Sequence, residues 1–182
     1  MSLWQKNSVA SLVMVLMIVA GTLIGSHNSL RSIRDRASDV FSVGARGDGI
    51  GIQSDLRERD TAAHNMVVIA RRYLPEENAL IQNVLAAREA LAGASSVTRK
   101  AGADKALAEA VRDLYDVLEG MNLSEQDVRY PQRLYTDFRS AGDRISHDPY
   151  NQTAADFNRI LSGFPAGLLG RLTGVRPLEL FE

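Results

Sequence analysis

Between Lys6 and His27 the chain runs for twenty residues without a charge, centred on Leu12-Val13-Met14-Val15-Leu16-Met17-Ile18-Val19-Ala20. At about 1.5 Å rise per residue, a helix of that length covers roughly 30 Å, the hydrocarbon thickness of a bilayer. The stretch is apolar on every face, which suits lipid better than one side of a small soluble core. Trp4 lies just outside it, where an indole prefers the headgroup layer. A cleaved signal peptide with Lys6 as its charged start is the competing reading. The apolar run exceeds the usual ~7–15 residues of such a peptide, and Gly25-Ser26-His27-Asn28 offers no A-x-A cleavage site. Residues 8–26 are therefore read as a single-pass transmembrane anchor in the cell (inner) membrane, with residues 1–7 as its flank. Arg31, Arg34 and Arg36 on one side outweigh Lys6 and the α-amino group on the other, so the positive-inside rule favours a cytoplasmic location for the C-terminal domain.

Past the anchor, apolar residues recur at spacings of three and four. Leu56, Ala63, Val67, Ala70 and Leu74 form one stripe, and Leu80, Val84, Ala87 and Leu91 the next. Leu107, Val111, Leu114, Leu118 and Met121 form a third, then come Leu134, Phe138, Ala141 and Ile145, then Tyr150, Ala154, Phe157, Leu161 and Phe164. Each stripe is one face of an amphipathic helix that must be buried against another, and no segment sustains the period-two alternation of a strand. The fold class is therefore all-α: an N-terminal transmembrane helix and an antiparallel four-helix bundle over residues 28–163. The four helices are expected at about 28–43, 52–92, 97–121 and 125–163, the first continuing from the anchor.

Breaks between the stripes are legible. Residues 44–51 hold four glycines and read as a loop insertion. Gly93-Ala94-Ser95-Ser96 and the stretch from Gly120 to Ser124 are turns, and Ser124 with Asp127 resembles a capping box. Asp148-Pro149 fits an N-cap followed by proline at the first helical position. Pro75 either opens a helix or kinks a long one over 52–92. Residues 164–182 form an apolar, glycine-rich segment too interrupted to span a bilayer; it either folds back over one end of the bundle, the simpler choice, or lies at the membrane interface or in a partner's groove.

The chemistry-bearing residues are sparse. The chain has no cysteine, which excludes disulfides, thiolate metal sites and thiol catalysis. From Asn28 onward, 22 acids face 20 lysines and arginines, without the basic excess of a nucleic-acid module. His27, His64 and His147 have no partner at metal-ligand spacing, and His64 beside the core stripe reads as a partly buried structural histidine. Arg57-Glu58-Arg59-Asp60 and Arg71-Arg72 read as solvated helix faces. The glycines of 44–51 lack the Gly-Lys-Ser/Thr of a phosphate loop. No catalytic, cofactor-binding or metal residue is assigned. An unrecognised carboxylate site would use acids such as Asp137, Asp143 and Asp148, on patterned helices where salt bridges also explain them.

The C-terminal third carries a family likeness. Asp143-Arg144-Ile145, Tyr150-Asn151, Phe157-Asn158, Phe164-Pro165, Leu168-Leu169, Arg176-Pro177 and Phe181-Glu182 resemble the closing signature of the LemA family, E-N-R-I, Y-N, Y-N, F-P, a glycine-rich apolar stretch, K-P and F-E. Upstream, Arg59, Thr61, Asn65-Met66-Val67, Tyr73, Glu77 and Ala87-Arg88 are similar to that family's R-x-D-L-I-P-N-L-V … Y … E … A-R helix, and Asn28, Leu30 and Arg31 to the segment after its anchor. The chain departs from the pattern at Ser42 to Gly51, which reads as an insertion. It departs again at Thr61-Ala62-Ala63-His64, where the proline is lost, and at His147-Asp148-Pro149, which is shorter than usual. The resemblance implies a bacterial protein with an N-terminal anchor and a long antiparallel helical bundle, and it carries over no established enzymatic activity. The expected function is a non-enzymatic scaffold or adaptor, binding an unidentified protein partner or a second copy of itself at the membrane. The alternative is an enzyme-associated or ligand-binding membrane subunit using the three carboxylates.

Overall fold

The computed structural model describes the backbone of residues 3–182 and side chains from Ser8 onward. The flanking roles expected of Trp4 and Lys6 fall on side chains outside the described residues. All regular structure among the described residues is helical: α1 (Leu3–Val43), α2 (Ile52–Ala70), α3 (Ala79–Gly93), α4 (Val97–Glu119), α5 (Tyr130–Ser146), α6 (Tyr150–Ser162) and α7 (Ala166–Thr173). The chain divides into two compact units, residues 1–38 with 152–178, and residues 39–151 with 179–182.

In the first unit, α1 runs without a break through the apolar stretch and beyond it. It is long and apolar enough to cross a membrane, and none of its most apolar window is buried within the protein. Burial begins at Leu30 and Ala37, seven residues apart on one face. On α6, Ala154, Phe157 and Leu161 are buried at the expected spacing, but Phe164, the expected end of that stripe, is 90% exposed. The reason is that α6 stops at Ser162 and the chain turns back. A Cβ on Gly167 would lie 2.8 Å from the Leu161 carbonyl oxygen, and one on Gly170 2.5 Å from a Leu161 methyl, so glycines let α7 lie against the end of α6. The segment from 164 therefore carries a helix of its own. It ends at Gly174, whose φ of 75° is left-handed, with the Val175 N–H donating to the Gly170 carbonyl.

In the second unit, residues 44–51 form a tight turn. Gly44 has φ of 78° and donates its N–H to Val40, Gly49 donates to Val43, and a Cβ on Gly44 would meet the Ile50 carbonyl oxygen at 2.3 Å. From there α2 to α5 run alternately up and down. Asp55 at the start of α2 bonds Arg144 at the end of α5, while Arg72 beyond the end of α2 bonds Asp127 ahead of α5, so these two are antiparallel. Asp60 of α2 meets Arg88 near the end of α3, and Ala94–Ser96 turn α3 back into α4. Tyr115 near the end of α4 stacks on Tyr135 near the start of α5, with ring centroids 4.2 Å apart.

Two expected helices are shorter than the stripes suggested. The helix expected over 52–92 is two helices, because Pro75 cannot continue the ladder and biases Leu74 away from helical geometry. Asn78 restarts the chain as α3, its side chain accepting the Leu80 N–H at 2.9 Å. The helix expected over 125–163 likewise divides at His147-Asp148-Pro149. Asp148 Oδ1 accepts the Tyr150 N–H at 2.8 Å, the cap that the Asp-Pro pair implied. Ser124 Oγ does accept the Asp127 N–H at 3.3 Å, but the residues it heads form turns, and α5 begins only at Tyr130.

The core of this unit is Ile52, Leu56, Met66, Val67, Ile81, Val84, Leu107, Val111, Leu114 and Leu118, all essentially sealed from solvent. Ile81 takes the core position expected for Leu80, which is half-buried. The chain's last residues close the unit. Glu179 accepts the Thr98 N–H at 3.1 Å at the start of α4, a bond that holds its carboxyl below the usual glutamate range. Phe41 packs edge-on against Tyr150 at 5.2 Å and tilts against Phe181 at 6.1 Å.

Candidate functional site

Several charged residues of the second unit form pairs that join helices, and beside one of those pairs lies an open groove. Arg59 is buried in the middle of α2. Its Nε donates to Asp104 Oδ1 of α4 at 2.7 Å and its Nη1 to the Phe138 carbonyl of α5 at 3.3 Å. The guanidinium also lies 3.9 Å from the centroid of the Phe138 ring. Burial pushes the Asp104 carboxyl above the usual aspartate range, and the charge and hydrogen bond of Arg59 pull it only part of the way back. The solvated face expected for Arg57-Glu58-Arg59-Asp60 thus holds for Arg57 and Glu58 and fails for Arg59. The residue falls on α2's inner stripe, and an acid on α4 receives it.

A second pair ties the open end of the same helices. Arg144 Nε donates to the buried Asp55 at 2.7 Å, and its other arm reaches Glu58; the hydrogen bond to Asp55 is the largest factor holding the arginine's charge. At the opposite end, Asp127 is the hub. Tyr73 Oη donates to Asp127 Oδ2 and Arg72 Nη1 to Oδ1, each at 2.7 Å, and Tyr73 Oη accepts the Ser124 N–H at 3.1 Å. The tyrosine bond, ahead of the arginine, holds the Asp127 carboxyl below its ordinary range. Among the described residues no buried side-chain nitrogen or oxygen lacks a hydrogen-bond partner.

Beside the Arg72–Asp127 pair, α2 and the start of α5 leave an open groove of about 500 Å³, lined by Asn65, Val68, Tyr130, Arg133, Leu134 and Asp137 among others. Val68 and Tyr130 expose much of their apolar surface there. Arg133 and Asp137 have no salt-bridge partner among the described residues, so both signs of charge stand free at the rim of an apolar floor.

The structure spreads the sequence candidates apart. Asp137 lines the α2/α5 groove, whereas Asp143 lies six residues on along α5 and lines a different hollow with Asp104 and Arg112. Asp148 is half-buried as the α6 cap, its carboxyl raised first by burial and further by nearby Asp55. His64 is exposed rather than partly buried, because it sits one residue outside the α2 stripe. Its Nδ1 is 3.2 Å from Arg88 Nη1. His147 closes α5, its Nδ1 2.8 Å from the Asp143 carbonyl oxygen. No three histidine, aspartate or glutamate side chains converge among the described residues.

The likeness residues Asn151 and Asn158 have a definite job. Within the second unit, Asn151 donates Nδ2 to the Phe181 carbonyl at 2.9 Å and accepts the Phe181 N–H at 2.8 Å. Within the first unit, Asn158 makes the same pair of bonds to Leu178, at 2.9 and 2.8 Å. Each amide satisfies both backbone groups of one tail residue, as a neighbouring strand would.

The regular structure of the described residues is entirely helical, and α1 is long and apolar enough to cross a membrane, a combination that fits a membrane-anchored helical protein. The chain belongs to the LemA family, whose model matches residues 50–182, from the end of the glycine turn to the last residue. A comparison with curated protein sequences finds no match.

Proposed function

We propose that the chain is a non-enzymatic scaffold at the cell membrane, tethered by α1, whose α2/α5 groove receives a segment of a partner protein. The observation that carries the reading is the α2/α5 groove itself, where Arg133 and Asp137 flank exposed Val68 and Tyr130. A helix or extended segment that presents an apolar residue to the floor and a carboxylate to Arg133 fits that arrangement. The arginines at 31, 34 and 36 favour a cytoplasmic side for the helices beyond the anchor.

Because the chain has no cysteine, single cysteines give unambiguous attachment points. The full chain carrying Gln126→Cys, at the edge of the same groove, labelled with a photoreactive maleimide in its native membranes, should yield one discrete adduct. The same label at Glu89, exposed on α3, should not, and Val68→Glu or Arg133→Glu should abolish the adduct from position 126. Equal labelling from both positions, or adducts indifferent to Val68→Glu, would refute the groove as the docking site. An adduct with a second copy of this chain would replace the partner by self-association.

A further inference from the structure

In the first unit, a cationic hollow stands just beyond the apolar part of α1. His27, Arg31, Arg34 and Asp35 line it from the helix, Gly174, Val175 and Arg176 line it from the tail, and its volume is about 270 Å³. Arg34 Nε donates to the Arg176 carbonyl at 3.0 Å, which seats the tail on α1 at this level. Three arginines and a histidine line the hollow against a single carboxylate, that of Asp35, which lies 3.7 Å from Arg31 and 3.9 Å from Arg34. Guanidinium donors are left over, in a space that admits a phosphate group.

Depth along the helix says which phosphate. Arg31 and Arg34 stand about 8 and 12 Å beyond Ser26, the end of the charge-free run. Each headgroup layer is roughly 5–8 Å thick, and arginine stems reach back along a helix by several more. Two residues before Gly174, Leu172 begins an exposed apolar edge. Leu168 and Leu172 lie four residues apart on α7 and Phe164 just ahead of it, with 55%, 65% and 90% of their surfaces open. A free phosphate would have no use for that edge, whereas a lipid presents a phosphate and an acyl boundary side by side.

We propose that the Arg31/Arg34/Arg176 hollow binds the phosphate of an anionic phospholipid, and that Phe164, Leu168 and Leu172 enter the adjoining acyl boundary of the bilayer that α1 crosses. The hollow is then a headgroup site on the flank of the anchor, and α7 is an interfacial helix.

The test uses the full chain in nanodiscs of phosphatidylcholine alone or with phosphatidylglycerol added. An environment-sensitive fluorophore at Leu172→Cys reports insertion through quenching by brominated acyl chains, and native mass spectrometry counts retained lipids. The expected result is quenching at position 172 that strengthens with phosphatidylglycerol, and retention of phosphatidylglycerol over phosphatidylcholine. Each arginine removed should weaken that preference about fivefold. Arg31→Gln is the decisive variant, since Arg31 bonds only Asp35 and its loss leaves the Arg34–Arg176 contact in place. Quenching without any dependence on phosphatidylglycerol overturns the phosphate site, and an unquenched label at 172 overturns the apolar edge. Displacement of the retained lipid by inorganic phosphate overturns the lipid as the ligand. A label at Val13→Cys that escapes quenching removes the anchor, and this proposal with it.

Discussion

Alanine at position 142 should be costly only while Arg59 is present. A Cβ on Gly142 would stand 2.1 Å from Arg59 Nη1 and 3.3 Å from its Cζ, on a guanidinium already held by Asp104 and the Phe138 carbonyl. Room for the methyl requires the guanidinium to move by about an ångström, which breaks one of those bonds. A hydrogen bond to a charged group contributes about 1.5–3 kcal/mol, and an alanine in a helix interior returns about 1 kcal/mol relative to glycine. Gly142→Ala should therefore destabilise the chain by about 1 kcal/mol. In an Arg59→Met/Asp104→Leu background the clash is gone and only the helical gain remains, so the same substitution should stabilise by up to about 1 kcal/mol. The background itself should lie close to the parent, because the attraction in a buried ion pair is largely offset by desolvation. The raised Asp104 carboxyl says the same. Its ionisation is less favourable folded than unfolded, so this group's contribution to stability declines as pH rises through its folded value. Urea unfolding of the full chain in mild detergent, followed by far-UV circular dichroism, gives the four free energies of the cycle. A coupling near 2 kcal/mol is expected. The same cost for Gly142→Ala in both backgrounds would show that glycine is required there for some reason other than the arginine.

Tyr73→Phe should flatten the acid limb of the stability curve. Asp127 is held below its ordinary range chiefly by Tyr73, so it contributes stability that is present above about pH 4 and is lost as pH falls through its folded value. Without the hydroxyl, stability near neutrality should drop and the further loss on acidification should shrink, which unfolding curves at neutral and acid pH measure. For the tail, Asn158→Ala should speed amide hydrogen exchange at Leu178, and Asn151→Ala at Phe181, each by removing the acceptor of that N–H. Equal acceleration of both amides by either variant would show that the asparagines act through general loosening rather than through their own bonds.

The stripes read from the sequence are sound where burial is apolar. Leu56, Ala63, Val67, Val84, Leu91, Leu107, Leu114, Phe138, Ile145 and Phe157 are all in the core. Leu80, Met121 and Leu134 are only half-buried, and two stripes are cut short where they cross a backbone rule. Leu74 and Phe164 keep the spacing, but each stands directly before a proline and falls outside the helix whose stripe it extends. The charged pairs are legible only in half. Arg59 and Arg144 stand out through the family likeness, yet Asp55 and Asp104 carry no motif, and Asp127 stands out only as a capping-box residue, not as the partner of Arg72 and Tyr73. Their signal is subtler: Asp104 precedes Leu107, Val111, Leu114 and Leu118 at core spacing, and Asp55 precedes Arg59 and Ala62 in the same way. An acid in register with a buried stripe calls for a cation from a facing helix, and the sequence does not say which helix faces it.

The asparagines make the opposite point, since their place beside a buried aromatic is visible in the sequence and their role is not. Tyr150-Asn151 and Phe157-Asn158 repeat the same pair seven residues apart on α6, and a heptad brings a residue back close to the same face of a helix. Asparagine suits the role because its side-chain amide offers one donor and one acceptor in the arrangement of a peptide group, and aspartate in its place would offer no donor to the tail carbonyl. The two Tyr-Asn-like motifs of the likeness are thus read as one aromatic for the core and one amide for the tail, in each of two turns of the same helix face. Tyr150 and Phe157 are buried while Asn151 and Asn158 stay half-buried, as that division of labour requires. Moving either asparagine by one position along α6 would rotate its amide by about 100° away from the tail. Asn158→Ala combined with Arg159→Asn should therefore leave Leu178 as unprotected from exchange as Asn158→Ala alone.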